Sequence, residues 1–131
     1  MQAFAATKTI LVVDDCEPIC ELIQILLVQA GYEVHTSING GDALRIAQAV
    51  PELHLTICST DLQDMRPEEC VEECAHCHPR AAILFLSDSA EQMQISRPFT
   101  VLDKPFTVIE LRSAVEWALR DGADEATGPA R

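Results

Sequence analysis

Apolar residues in this chain form short runs that alternate with stretches of helical periodicity. Residues 10–13 are a continuous apolar run, typical of a parallel strand buried on both faces, and the run stops at Asp14 and Asp15. After Pro18, apolar residues recur at i, i+3, i+4 and i+7 spacing as far as Gly31, which predicts an amphipathic helix with a glycine stop. The predicted inward residues of this helix are Ile19, Leu22, Ile23, Leu26, Leu27 and Ala30.

The same alternation continues to the end of the chain. The pattern predicts further strands at 32–37, 54–59, 81–86 and 100–103, and helices at 42–50, 68–77, within 88–95 (short) and at 107–120. Strands and helices in this order predict an α/β domain with a doubly wound parallel sheet. The expected organisation is an extension at 1–8, the domain at 9–120 and a tail or linker at 121–131. The predicted inward residues of the last helix are Val108, Leu111, Val115 and Leu119.

Composition and charge restrict the function. A chain of 131 residues suits one domain, and its formal net charge of −12 repels nucleic acids and anionic lipid headgroups. No apolar run approaches the ~18–20 residues that cross a bilayer, and residues 1–9 do not resemble a signal peptide. We therefore expect a cytoplasmic protein that binds neither nucleic acid nor membrane.

Polar residues follow the predicted strands at one edge of the sheet, where doubly wound folds bind their ligands. Two adjacent carboxylates after the first strand suit Mg²⁺, which accepts one or two carboxylates and keeps several waters. A lysine after the last strand supplies a positive charge for an anionic group, and a serine hydroxyl can donate a hydrogen bond to it. Together they predict a site for a phosphoryl group and a metal. The residues at this edge are Asp14, Asp15, Ser59, Asp61, Ser87 and Lys104.

The motifs that carry these residues resemble those of two-component response regulator receiver domains of the CheY-like type. The matching segments are 10–15, 39–44, 85–87 and 102–106, and the resemblance covers about residues 8–120. It implies a flavodoxin-like (βα)5 fold with strand order 2-1-3-4-5, here with a shortened fourth helix. In that family the acidic pair binds Mg²⁺, an aspartate ending the third strand accepts phosphate from a histidine kinase, and the lysine and Ser/Thr contact the phosphoryl group. The resemblance also implies a cis peptide bond at Lys104–Pro105.

Two alignments compete for the acceptor position. If it falls on Asp61, the polar residues Ser59 and Thr60 precede it in a strand end that is normally apolar. If it falls on Ser59, Ile57 takes the apolar position, and Ser59 lies 44 positions after Asp15, a common spacing in the family. We favour Ser59, and Asp61 stays open as the alternative.

Other departures from the family pattern point to a degenerate receiver. Asp88 stands where a small residue usually follows the Ser/Thr, and only 17 positions separate Ser87 from Lys104, fewer than usual. A serine in the acceptor position cannot form the acyl phosphate that receivers exchange with histidine kinases. Mg²⁺ binding is then expected to be weak.

Six cysteines are many for a chain of this length. Cys70, Cys74 and Cys77 have the spacing of a radical S-adenosylmethionine iron–sulfur motif, but such enzymes need a larger barrel. The same spacing places all three on one helical face, so we predict that they pack in the core. Cys16 and Cys20 lie one turn apart beside the acidic pair, where carboxylates reduce thiol reactivity, so structural packing is predicted there too.

The leading hypothesis is a receiver-like module of a phosphorelay that acts by protein–protein contact, with phosphotransfer impaired. The alternatives are a phosphorylatable receiver that uses Asp61 with Mg²⁺, and a thiol or metal sensor on a receiver scaffold. We expect no enzyme beyond self-phosphorylation and dephosphorylation at an aspartate. The expected partner is a histidine kinase or another signalling protein, with a homodimer through the fourth-helix, fifth-strand and fifth-helix face as a further option.

Overall fold

The computed structural model describes residues 7–88 and 93–122, which form a five-stranded parallel sheet flanked by helices on both faces. The strand order is β2-β1-β3-β4-β5, as predicted. The strands are β1 (Thr9–Val13), β2 (Glu33–Ser37), β3 (Leu55–Ser59), β4 (Ala82–Ser87) and β5 (Thr100–Asp103), and the helices are α1 (Glu17–Gln29), α2 (Gly40–Ala49), α3 (Pro67–Cys77) and α4 (Val108–Trp117), with a π-helical turn at Ala118–Gly122.

The three central strands are mostly apolar because helices cover both of their faces. Every residue of β1, β3 and β4 is buried, whereas most residues of the edge strand β2 are partly exposed. One core lies beneath α1 and α4, and a second lies beneath α2 and α3. Alternate residues of each strand enter opposite cores, so Cys58 and its neighbour Ile57 lie on different faces.

Local signals fix the helix ends. Gly31 has a φ of +102°, in the left-handed region that favours glycine, and it follows α1 as the sequence predicted. The Asn39 side chain accepts a hydrogen bond of 2.7 Å from the Asp42 N–H at the start of α2. Thr107 and Glu110 form a capping box at the start of α4.

Three predicted inward residues face outward instead. Leu22 of α1 is 45% exposed and Val108 of α4 is 46% exposed, because each lies at the margin of its helix's apolar face rather than at its centre. Cys77 is exposed at the end of α3, although Cys70 and Cys74 are buried as predicted. Periodicity identifies the buried face but does not fix its width.

The predicted short helix within 88–95 falls partly on residues 89–92, which lie outside the described residues. Residues 93–99 contain no helix and lead directly to β5. Met93, Ile95 and Phe99 pack against the core beneath α2 and α3, and Phe99 meets Phe85 edge-to-face with ring centroids 5.5 Å apart. Most of the predicted extension and tail also lies outside the described residues.

Candidate functional site

The carboxyl ends of β1, β3, β4 and β5 bring four polar side chains to one edge of the sheet. Asp14 directly follows β1, Ser59 and Ser87 end β3 and β4, and Lys104 directly follows β5. Backbone hydrogen bonds continue the sheet at this edge: the Lys104 N–H donates to the Ser87 carbonyl at 2.8 Å, and the Thr60 N–H donates to the Leu86 carbonyl at 2.9 Å. The position of each side chain is therefore set by the sheet.

Asp14 is the buried anion of the site. Its Oδ2 accepts a hydrogen bond from Lys104 Nζ at 3.0 Å, and its Oδ1 accepts one from the Cys16 N–H at 2.9 Å. The Asp14 side chain is 1% exposed and that of Lys104 is 15% exposed. This is a largely desolvated ion pair, in which each carboxylate oxygen has a donor.

Lys104 also has a second acidic neighbour. Asp88 Oδ1 lies 3.8 Å from Lys104 Nζ, and its side chain is 47% exposed. The peptide bond between Lys104 and Pro105 is cis, as the family resemblance implied. The ammonium group thus lies between a buried carboxylate and one at the rim.

Ser59 and Asp61 differ in their placement. Ser59 is fully buried, and its Oγ accepts a hydrogen bond of 3.0 Å from the Asp61 N–H. Asp61 is exposed in the loop after β3. The register of β1 with β3 ends at the pair Val13 and Cys58, and Asp14 and Ser59 each directly follow that pair. Of the other residues predicted for this site, Ser87 is buried and Asp15 is exposed.

A cysteine that was predicted only to pack supports Asp14 from behind. The Cys20 thiol donates hydrogen bonds to the carbonyl of Asp14 at 3.2 Å and to that of Ser37 at 3.5 Å. Burial, followed by the nearby Asp14 carboxylate, raises the pKa of Cys20 to about 11. Cys20 is therefore a protonated donor at neutral pH, which agrees with its predicted structural role.

Sequence reasoning missed Asp64, which fastens the loop after β3 to the start of α2. Its two carboxylate oxygens accept hydrogen bonds from the N–H groups of Gly40 at 2.9 Å and Gly41 at 3.0 Å. These bonds, that of Gly40 foremost, lower the pKa of Asp64. Met65 lies over Gly40, where an added Cβ would approach Met65 Sδ to 2.6 Å. No local pattern reveals such a cap, because its partners lie more than twenty positions apart.

Asp14 and Asp15 are the carboxylates that could hold Mg²⁺ at this edge of the sheet. Both oxygens of Asp14 already accept hydrogen bonds, one of them from an ammonium group, and Ser59 supplies no charge. In the two described ranges, no group of three or more His, Cys, Asp or Glu residues could hold a metal ion. A metal ion at this edge would share the Asp14 carboxylate with Lys104.

The structure of this chain is similar to those of solved receiver proteins. No family model matches the sequence. A CheY-like response regulator receiver domain protein from Methanospirillum hungatei is 21% identical, with a TM-score of 0.79 over 89% of this chain and 97% of that one. The chemotaxis protein CheY4 of Vibrio cholerae is 25% identical, with a TM-score of 0.77 over 87% of this chain and 100% of that one. The chain has the CheY-like receiver fold.

A third similar structure contains a modified residue and bound groups. It is a response regulator from Burkholderia pseudomallei, described with a phosphorylated aspartic acid, a calcium ion and citrate. It is 24% identical, with a TM-score of 0.72 over 88% of this chain and 68% of that one.

Among the described residues of the present chain, no helix is long and apolar enough to cross a membrane.

Proposed function

We propose that this chain is a receiver-like module of two-component signalling that acts by protein–protein contact and does not carry a phosphoryl group as an acyl phosphate. The observation that carries the proposal is the placement of Ser59. It is the last residue of β3, it is fully buried, and like Asp14 it directly follows the last pair of β1 with β3.

Strand register supports Ser59 as the acceptor position. In the family the acceptor ends the third strand beside the acidic residues that follow the first strand. Ser59 and Asp14 each follow the last pair of β1 with β3, and positions in register on neighbouring parallel strands point to the same face, which favours Ser59 as the partner of Asp14. Asp61 lies in the exposed loop beyond. Asp61 donates its N–H to Ser59, which makes it part of the turn that ends the strand.

The chemistry of serine supports impaired phosphotransfer. An aspartate acceptor forms a mixed anhydride with phosphate, which is reactive enough to be hydrolysed or exchanged. A serine hydroxyl forms a phosphate ester instead, and at neutral pH it needs a general base to act as a nucleophile. The Ser59 Oγ accepts a hydrogen bond from the Asp61 N–H, which withdraws electron density from the oxygen and makes it a weaker nucleophile.

The state of Lys104 supports the same proposal. In the family this lysine contacts the phosphoryl group, whereas here its ammonium group already contacts Asp14 at 3.0 Å and Asp88 at 3.8 Å. An incoming anion would compete with two carboxylates that belong to the chain itself. The Lys104 ammonium group is therefore already paired before any anion is added, and the site carries excess negative charge that disfavours an anion.

The expected partners are a histidine kinase or another signalling protein. A homodimer through the face of β5 and α4 is supported by the exposure of Val101, Val108 and Ile109, which are 40%, 46% and 76% exposed. Apolar side chains gathered on one face are typical of a protein interface.

Treatment with acetyl phosphate and Mg²⁺, followed by intact mass spectrometry, tests the proposal. We expect no phosphoryl adduct on the wild type or on Asp88→Ala. The double variant Ser59→Asp/Asp88→Ala should gain one adduct that hydroxylamine removes, because it restores a carboxylate at the end of β3 and frees the rim of the site. Ser59→Asn/Asp88→Ala is the matched control, since it has similar size and no carboxylate.

Two results would contradict the proposal. An adduct on the wild type that disappears in Asp61→Asn would identify Asp61 as the acceptor of a working receiver. A double variant that folds, by circular dichroism, but gains no adduct would show that Ser59 does not occupy the acceptor position.

A further inference from the structure

The outer side of β5 is an open edge of the sheet. Among the described residues β5 pairs with β4 alone. The Lys104 N–H donates to the Ser87 carbonyl of β4, and the backbone groups of successive residues point to opposite sides of a strand. The N–H and C=O groups of Val101 and Asp103 therefore point away from β4, and in the described part of the chain they make no hydrogen bond. Four backbone groups are thus available to an added strand.

The opposite edge of the sheet, formed by β2, is partly closed. The Glu33 N–H donates to the Lys8 carbonyl beside β1, so the Val34 carbonyl points outward by the same alternation. This carbonyl accepts a hydrogen bond of 3.5 Å from Gln24 Nε2 of α1. No side chain in the ranges 7–88 and 93–122 supplies such a bond to the outer side of β5. The two edges therefore differ, and β5 is the accessible one.

A groove of 470 Å³ lies between the open edge of β5 and α4. Val101 of β5 and Ile109 of α4 line it, and both side chains are exposed. Its charged lining residues are Asp103 and Glu110, and no cationic side chain of the described residues lines it. The groove therefore offers apolar surface and negative charge beside unpaired backbone groups.

We propose that β5 and this groove bind an extended segment of a partner protein that is basic and apolar, and that adds a sixth strand to the sheet. Hydrogen bonds to the backbone of Val101 and Asp103 hold the segment, and the groove accepts the side chains of one of its faces. The net charge of −12 attracts such a basic partner. The inference rests on the proposed function only in that the chain acts by protein–protein contact, and it is independent of the acceptor position.

Charge favours a basic segment over a second copy of the chain as the occupant. The homodimer considered above would cover the same face. In a symmetric pair the same surface of each copy meets the other, so Asp103 and Glu110 would approach their own counterparts. Like charges oppose such an approach, whereas lysine or arginine side chains of a partner segment complement it.

Fluorescence anisotropy with a labelled hexapeptide of alternating lysine and valine tests the proposal. An extended peptide of this sequence has one basic and one apolar face. The wild-type chain should bind it, and should bind a version with backbone N-methyl groups on the order of tenfold more weakly, because the methyl groups block strand pairing and keep the charge. A version with glutamate in place of lysine should not bind. Amide hydrogen exchange at Val101 and Asp103 should slow in the complex.

Two lysine variants separate the groove from net charge. Ile109→Lys should weaken peptide binding on the order of tenfold, because it removes an apolar wall and places a positive charge beside the lysines of the peptide. Ile25→Lys is the matched control, since Ile25 is also exposed but lies on α1, and this variant should bind nearly as the wild type does.

Four results would overturn the proposal. They are no binding of the lysine–valine peptide by the wild type, equal affinity for the N-methylated peptide, equal weakening in the two lysine variants, and a dimer by light scattering that the peptide does not dissociate. None of these measurements involves Ser59, so failure here leaves the outcome of the acetyl phosphate experiment unaffected.

Discussion

The ion pair between Lys104 and Asp14 is buried, so we expect it to contribute more to the free energy of unfolding than a surface ion pair does. Lys104→Met keeps most of the side-chain volume and removes the charge, which leaves the Asp14 carboxylate, 1% exposed, without its cation. Breaking a buried pair from one side costs about 3–5 kcal/mol. Because Lys104 lies at the rim of the site, we take the lower end, and expect the free energy of unfolding to fall by about 3 kcal/mol.

A double-mutant cycle isolates the pair itself. In an Asp14→Asn background no buried carboxylate is left unpaired, so Lys104→Met should cost only about 1 kcal/mol, the value of a lost hydrogen bond. The expected coupling energy is the difference, about 2 kcal/mol. The same cycle on Lys104 and Asp88 is the matched control, because Asp88 is 47% exposed and surface pairs contribute roughly 0–1 kcal/mol.

Urea denaturation at pH 7, followed by circular dichroism, measures these energies. Domains of this kind have stabilities of about 5–15 kcal/mol, so the variants should stay folded without denaturant. The reasoning is refuted if Lys104→Met and Asp14→Asn are additive to within about 0.5 kcal/mol, or if the coupling to Asp88 equals the coupling to Asp14.

Two further predictions concern the contacts between the loop after β3 and α2. Asp64→Asn should lower the free energy of unfolding at pH 7 by about 1 kcal/mol. A group whose folded pKa is lowered loses its stabilising effect on protonation, so urea titrations should show the difference between wild type and variant closing as the pH falls below the ordinary carboxyl pKa of 3.8. A difference that persists in acid would contradict this. Gly40→Ala should cost about 1–3 kcal/mol by crowding Met65, and Met65→Ala in the same chain should recover part of that loss in the same assay, whereas additive losses would contradict the contact.

The sheet was predictable because its signals are local. Residues 10–13 are apolar without interruption, and only a strand covered on both faces uses such a run. The order of strands and helices then placed Asp14 and Lys104 at one edge, although they lie ninety positions apart. Topology alone thus predicted that these two residues lie together.

The contacts between side chains at that edge could not be predicted from the sequence. Nothing in the pattern indicates that Lys104 binds the buried Asp14 more closely than the exposed Asp88, since this depends on side-chain reach and desolvation. The hydrogen bonds that Asp64 accepts at the start of α2 could not be predicted either, because any carboxylate in the loop could have accepted them. Cys77 was assigned to the core since periodicity does not report where a helix leaves the domain.

Ser59 contacts two parts of the molecule through different atoms. Its hydroxyl oxygen accepts a hydrogen bond from the Asp61 N–H, and its backbone carbonyl lies 3.4 Å from the Cys58 thiol. A side-chain change such as Ser59→Asp alters the first contact and leaves the carbonyl in place. The core beneath α2 and α3 should therefore keep its packing, so an adduct on Ser59→Asp/Asp88→Ala would report the chemistry of the sheet edge and not a change of fold.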